Sequence, residues 1–393
     1  MKNKEAIVTD SLKLFEKIEA LQAEYVKMWE TVCNIESPTD YKPGMDAVCD
    51  FFVKLAETKG WQTEVLQLET AGNAACITMN PDVNAPAVVF SGHMDTVHPV
   101  GSFGTPAVRI TDGKIFGPGT QDCKGGIVAS VLAMDALDHL GFRSRPVKLI
   151  LQSDEETGSA NSGGKTLSFM VQQATGAAAF LNAEAIAGKE GDTVVMERKG
   201  ILRQRFTVLG KAVHAARCDL GASAVAEAAY KIIELEKMKD PEGLTCNCGV
   251  IHGGTATNSV PDSCCFETDI RYATEAQYQQ ALKITREIAE TVYVPGCRCE
   301  LTRESYRPPM EKSEKSQLLL ERINEIYRQR GLPQLKATKS AGGSDASYIT
   351  AAGIPCIDSI GPRGGRMHSL DEFAYVDALQ EAAKRLACVA AFL

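Results

Sequence analysis

No apolar run in this 393-residue sequence approaches the roughly 20 residues needed to span a bilayer, which excludes a helical membrane protein. An excess of positive charge is also missing. The formal net charge is -8, which argues against nucleic acid or an anionic membrane as the main partner. Met1 to Leu21 lacks the apolar core and small-residue cleavage site of a signal peptide. It mixes Lys, Glu and Asp with apolar residues at helical spacing and reads as an amphipathic helix of a cytoplasmic protein. No internal repeat and no low-complexity segment interrupts the chain.

A hydrophobic content of 44% and a charged content of 23% are ordinary for a globular protein, and the length admits two domains with a large core. The thirteen cysteines are scattered, as reduced thiols would be. Two C-x-C pairs, Cys246/Cys248 and Cys297/Cys299, lie on strand-like segments, so each pair points to one face. Small buried residues account for them more readily than a structural zinc, because the spacing is not that of a zinc ribbon.

The chemistry concentrates around Gly92-His93-Met94-Asp95, which follows the apolar run Ala87-Val88-Val89-Phe90. That run reads as a buried strand, and in an open α/β sheet ligands bind where strands run out. Imidazole is the commonest metal ligand, and Asp95 is spaced to accept from the second nitrogen of His93. Taken alone, the pair also describes a histidine satisfied at a strand end. The pattern recurs, however. Val147 to Leu151 leads into Asp154-Glu155-Glu156, and Ala177 to Leu181 leads into Asn182-Ala183-Glu184. Asp122 lies in a glycine-rich turn before a helix, and a second histidine, His368, follows far downstream. Carboxylates packed this densely at one sheet edge need cations, and a His/Asp/Glu set suits catalytic zinc, or cobalt or manganese.

Strands and helices alternate up to Glu184, which predicts a sheet covered by helices, including one over Gly125 to Leu140. From Gly200 the order becomes β-α-β-β-α-β, the ferredoxin-like unit. That unit interrupts the first domain, because His368 lies beyond it. Gly342-Gly343-Ser344-Asp345-Ala346 is not a nucleophile elbow, since alanine stands where the second glycine belongs. His98, His139 and His252 read as structural.

The segments SGHMDTV, GPGTQDCKGG, SDEETGS, GKAVHA, GGTATNSVPD, GGSDA and MHSLDE occur in that order over nearly the whole chain. This ordered set resembles the di-zinc metallopeptidase family of glutamate carboxypeptidase, succinyl-diaminopimelate desuccinylase, acetylornithine deacetylase, aminoacylase and tripeptidase. The wording is most similar to the glutamate carboxypeptidase branch. The resemblance implies an α/β protein: a three-layer α/β/α zinc-peptidase catalytic domain with an inserted ferredoxin-like α+β dimerisation domain. The corresponding boundaries are 1–199 with 311–393, and 200–310.

The resemblance also implies roles. His93, Asp122 and Glu184 would hold one zinc. Asp122 would bridge to a second, completed by Glu156 and His368. Asp95 would orient His93, and Glu155 would act as general base on a metal-bridging water. His214 would stabilise an oxyanion, in the site of the neighbouring subunit of a homodimer. Asn258, Arg271, Gly343 and Ser344 resemble substrate-contacting positions, Arg271 as a bidentate partner for a carboxylate. The implied activity is a carboxypeptidase-type exopeptidase on small peptides or N-acyl amino acids. The alternatives are an N-acyl amino acid deacylase and a non-catalytic metal-binding member. Three departures from the family wording are Ala185 where proline is common, Ala216 and Cys218 after His214, and Cys123 in place of methionine.

Overall fold

Three apolar runs become adjacent parallel strands. In the computed structural model, which describes residues 11–188 and 190–393, Val88–His93 lies between Val147–Gln152 and Ala179–Asn182. These strands are buried on both faces because side chains alternate between two helical layers. Val88 and Phe90 point into a core shared with Trp29, Leu132 and Leu386 of the helices Ser11–Asn34, Lys124–His139 and Ala378–Phe392. Ser91 points the other way, its Oγ 3.8 Å from Met170 Sδ on the helix Lys165–Ala174. The result is an α/β/α sandwich. Cys356–Asp358 extends the parallel set beside Ala179–Asn182, and four further strands complete an eight-stranded sheet.

The expected N-terminal helix is longer than Met1 to Leu21. It runs Ser11–Asn34, because Tyr25, Trp29, Val32 and Cys33 continue the buried stripe begun by Leu14 and Ile18. Residues 1–10 of that expectation lie outside the described residues. Among the described residues, no helix is long and apolar enough to cross a membrane.

A second, four-stranded sheet was not anticipated. Arg109–Thr111 and Lys114–Phe116 form a hairpin around Asp112 and Gly113. Both turn residues are left-handed, with φ of 50° and 70°, as a two-residue turn matching the strand twist requires. Phe373–Tyr375 adds to the hairpin with Phe373 opposite Phe116, and Gly364–Gly365 closes the sheet. This small sheet ties the segment carrying His368 to the loop that follows Phe116.

The chain divides into two compact units. The larger holds residues up to Met196, Lys312–Lys339 and Ser344–Leu393; the smaller holds Glu197–Glu311 and Ser340–Gly343. The smaller unit has the order β-α-β-β-α-β: Gly200–Leu209, Ala224–Leu235, Thr245–Gly253, Ser263–Tyr272, Glu275–Glu290 and Arg298–Arg307. Its sheet order puts Thr245–Gly253 and Arg298–Arg307 at opposite edges. The period-two pattern packs Leu202, Phe206 and Val208 against Cys264, Phe266 and Ile270, with Phe206 stacked on Phe266 at 4.7 Å. Ser223 and Thr274 cap the two helices by accepting the backbone N–H three residues on.

An ion pair is buried within this unit. Lys231 Nζ is 3.0 Å from Glu227 Oε1 and donates to the carbonyls of Ile288 and Thr291 at 2.7 and 2.6 Å. Glu227 in turn accepts the N–H groups of Tyr293 and Val294 at 2.9 and 2.6 Å. The pair therefore satisfies the C-terminal end of Glu275–Glu290 and the loop after it. Removing one partner strands a buried charge. Lys231→Met should lower the stability of this unit by about 3–5 kcal/mol in urea denaturation, and Glu227→Gln in the same background should restore part of it. A Lys231→Met loss under about 0.5 kcal/mol would mean the pair is not structural.

Candidate metal centre

Each parallel strand delivers its chemistry at its C-terminal end, where an open α/β sheet forms its crevice. His93 is the last residue of Val88–His93. Its Nδ1 faces the backbone oxygen of Asp95 at 3.0 Å and Asp95 Oδ1 at 3.2 Å. Its Nε2 therefore points outward, 2.9 Å from Asp122 Oδ1 and 3.5 Å from Glu184 Oε1. Asp122 Oδ2 lies 3.2 Å from His368 Nε2, and that nitrogen lies 3.3 Å from Glu156 Oε2. One carboxylate thus stands between two imidazoles, offering a different oxygen to each. His93, Asp122, Glu156, Glu184 and His368 are brought together within the larger unit.

Asp95 does more than orient His93. Its Oδ1 accepts the Glu155 N–H at 3.2 Å, and its Oδ2 accepts the Glu156 N–H at 3.0 Å and the Thr39 hydroxyl at 2.8 Å. The strand gives way here to a short 3₁₀ turn, Glu155–Thr157, so adjacent glutamates are not forced onto opposite faces. Glu155 lies near enough to Glu156 and Glu184 for its charge to raise the pKa of both.

A buried residue missed in the sequence completes the site. Glu372 accepts the backbone N–H groups of Gln121 and Asp122 through Oε1, at 2.8 and 3.0 Å, and that of Gly119 through Oε2 at 3.3 Å. Lys124, also buried, donates to the carbonyls of Ile35 and Val32 at 2.7 and 3.3 Å. Together they fix the turn that presents Asp122. The peptide bond between Asp122 and Cys123 is cis. Gly126 lets the following helix approach the Glu184 loop, since a Cβ there would stand 1.9 Å from the Ala183 oxygen. His368 is left-handed at φ 61°, a conformation few non-glycine residues adopt.

The electrostatics are those of a site crowded with anions. Burial pushes Glu184 well above the usual carboxyl range and Glu156 in the same direction, with the Asp122 charge adding to both. Burial disfavours the His93 imidazolium, yet Cys123, Glu184, Asp122 and Asp95 outweigh it and hold its pKa well above the ordinary value. Hydrogen bonds to Asp122 and Glu156 raise His368 to about 10. Burial also lifts Asp122, but the bonds from His368 and His93 prevail and keep it low. The imidazoles stand in for cations among these carboxylates. Among the described residues, His93, Asp122 and Glu156 offer donor atoms within 4.8 Å of one another, and so do His93, Cys123 and Glu184. Imidazole with carboxylate fits divalent zinc, cobalt or manganese. Cys123 serves the wall: its sulfur accepts the His93 N–H at 3.1 Å, and burial raises its thiol to about 12.

The remaining sequence candidates fall elsewhere. Ser344 is buried and accepts from Asn182 Nδ2 at 3.0 Å, the same amide reaching Asp358 Oδ1 at 3.0 Å. In the smaller unit, His214 and Asn258 are joined by backbone: the Ala215 N–H donates to the Asn258 oxygen at 2.9 Å, and both residues are exposed. Arg271 is gripped by Asp269 two residues away, Nε to Oδ1 at 2.5 Å and Nη2 to Oδ2 at 3.1 Å. Its Nη1 donates to Ala341 O at 3.4 Å, beside Gly343, whose backbone packs on Arg307. The two C-x-C pairs sit on opposite edge strands, about 14 Å apart across the sheet, so they cannot share a zinc ion.

Comparison with known proteins agrees with this geometry. The family model described as Peptidase family M20/M25/M40 matches residues 89–391. Carboxypeptidase G2 of Pseudomonas sp. (strain RS-16) is 26% identical over 370 residues, covering 93% of this chain and 87% of that protein. Succinyl-diaminopimelate desuccinylase of Dechloromonas aromatica (strain RCB) is 29% identical over 372 residues, covering 85% and 90%. A tripeptidase structure from Staphylococcus aureus superposes with a TM-score of 0.77 at 22% identity, over 94% of this chain and 97% of that one. An M20 family metallo-carboxypeptidase structure from Sulfolobus solfataricus superposes with a TM-score of 0.74 at 17% identity, over 94% and 98%. The matched region contains every residue of the centre, and the chain belongs to the metal-dependent peptidase family M20/M25/M40 as a metallopeptidase or amidohydrolase.

Proposed function

We propose that this chain is a cytoplasmic, zinc-dependent exopeptidase of the carboxypeptidase type. It would act on small peptides or N-acyl amino acids with a free carboxylate. The observation that carries the reading is the single Asp122 carboxylate standing between His93 and His368, with Glu184 and Glu156 on either side and Glu155 adjacent. His93, Asp122 and Glu184 would hold one ion, and Asp122, Glu156 and His368 the other. When bound, such a pair supplies polarisation of the amide carbonyl and acidification of a water.

The chain's own groups do the rest. Glu155 takes the proton from the attacking water and passes it to the leaving amine. Asp95 fixes the His93 tautomer and, through the Glu155 and Glu156 N–H groups, the turn that carries both glutamates. His214, with Asn258 beside it, would donate to the developing oxyanion of a neighbouring subunit. Arg271, already aligned by Asp269, would receive the substrate carboxylate, and Gly343 and Ser344 would be further substrate-contacting positions. Exposed Tyr230, Ile233, Val250 and Ile251 of the smaller unit support a homodimer formed through it. The thirteen cysteines, scattered along the chain, support a reducing compartment.

A deacylase reading has its own support, since desuccinylases are among the relatives of similar identity. A matched substrate panel separates the two. Dipeptides and N-acyl amino acids sharing a C-terminal glutamate should all be cleaved, and replacing that glutamate by ornithine, diaminopimelate or a neutral residue should lower kcat/KM. A preference that follows the acyl group instead would make it a deacylase.

Glu155→Gln should retain bound metal and lose about 10²–10⁴-fold in kcat, measured on the best panel substrate with metal content assayed in parallel. Wild-type turnover would remove Glu155 as the base. Glu372→Ala should weaken metal affinity about 10–100-fold in competition with a chelator, because the Asp122 turn loses three anchoring bonds. Unchanged affinity would mean that turn is held by other contacts.

A further inference from the structure

The proposed chemistry leaves the Cys246/Cys248 pair unused. On a regular strand, residues two apart share a face but stand about 6.6 Å apart along it, too far for their thiols to interact readily. This strand is not regular there. Asn247 pairs with Asp269 and Val250 with Glu267, so Cys248 and Gly249 together oppose Thr268 alone. That extra residue is a bulge, which bends a strand and re-aims a side chain. The Cys248 N–H leaves the ladder and donates to Glu236 Oε1 at 2.6 Å. The Cys246 and Cys248 side chains stay on one face of the strand, near enough for the Cys248 sulfur to act on the Cys246 thiol. The other C-x-C pair differs: Cys299 Sγ turns to its neighbour's carbonyl, Glu300 O, at 3.8 Å.

We propose that Cys246 and Cys248 are a redox-active dithiol that closes reversibly to an intrastrand disulfide on reaction with a low-molecular-weight disulfide. The two thiols are unequal. Cys246 is 2% exposed and belongs to the unit's core, whereas Cys248 is half-buried at the edge strand. Cys248 meets the oxidant first. Its thiolate attacks one sulfur of the small disulfide and expels one thiol, leaving a mixed disulfide. Cys246 then attacks the Cys248 sulfur and expels the second thiol. Two protein S–H groups are oxidised, one S–S bond is reduced, and the two protons leave on the released thiols. Lys239 lies beside both cysteines, its Nζ donating to the Cys246 carbonyl at 3.1 Å, and its charge offsets part of what disfavours the Cys246 thiolate. The neighbouring Cys248 and burial both raise the Cys246 thiol, and the first of these is relieved once Cys248 is in the mixed disulfide.

The test uses the intact wild-type protein in mixtures of oxidised and reduced glutathione, quenched by alkylation and mapped by mass spectrometry. Cys246 and Cys248 fall on one tryptic peptide, residues 240–271, together with Cys264 and Cys265. Exposed Cys218 reports that the oxidant has reached the protein. The expected result is a peptide lighter by two hydrogens, with the link between Cys246 and Cys248, restored by dithiothreitol. Cys246→Ser should then leave glutathione on Cys248. Free Cys246 and Cys248 where Cys218 carries glutathione, lasting glutathione on wild-type Cys248, or a link to Cys264 or Cys265 would each overturn the proposal.

Discussion

Negative charge cannot be crowded at a buried sheet edge without something positive to hold it there. Five acidic side chains, Asp95, Asp122, Glu155, Glu156 and Glu184, converge around the ends of three adjacent strands and the loop that presents Asp122. Burial alone drives Glu184 and Glu156 toward their neutral forms. Two imidazoles answer part of that charge, and their own pKa values rise in doing so. The rest of the larger unit can be read as the scaffold that keeps these groups from moving apart. Parallel strands aim His93 and the two glutamate loops, Gly126 lets a helix close on the Glu184 loop, and the small sheet brings His368 across.

That scaffold explains why Glu372 is buried although it faces no reacting atom. Its carboxylate gathers three N–H groups of the turn before Asp122, and burial raises its pKa to about 7. The same turn is held from the other side by Lys124. A single strand pairing, Phe373 opposite Phe116, sets both Glu372 and the His368 loop in register with it.

Much of this was legible in local pattern. The His93–Asp95 spacing, the apolar strands and the Asp122 turn before a helix each follow from short-range rules. Glu372 was not legible, although it adjoins Asp371 in a segment already singled out, because its partners lie some 250 positions away along the chain. The depth of Ser344 was hidden for the same reason: Asn182, which binds it, is 162 positions distant. Two features were within reach. Asp112-Gly113 is a strong hairpin signal, and Asp269 lies two residues from Arg271, on the same strand face. The N-terminal helix shows that an apolar stripe, not a change in charge pattern, decides where a helix ends.

In the proposed reading Asp122 would join two cations. Metal content per chain, measured on purified protein after zinc loading and dialysis, tests it most directly when Asp122→Ala is carried beside the wild type. Two ions per chain in the wild type, and loss of both in the variant, is the predicted result. Wild-type protein that retains no metal, or an Asp122→Ala variant that retains as much as the wild type, would contradict it.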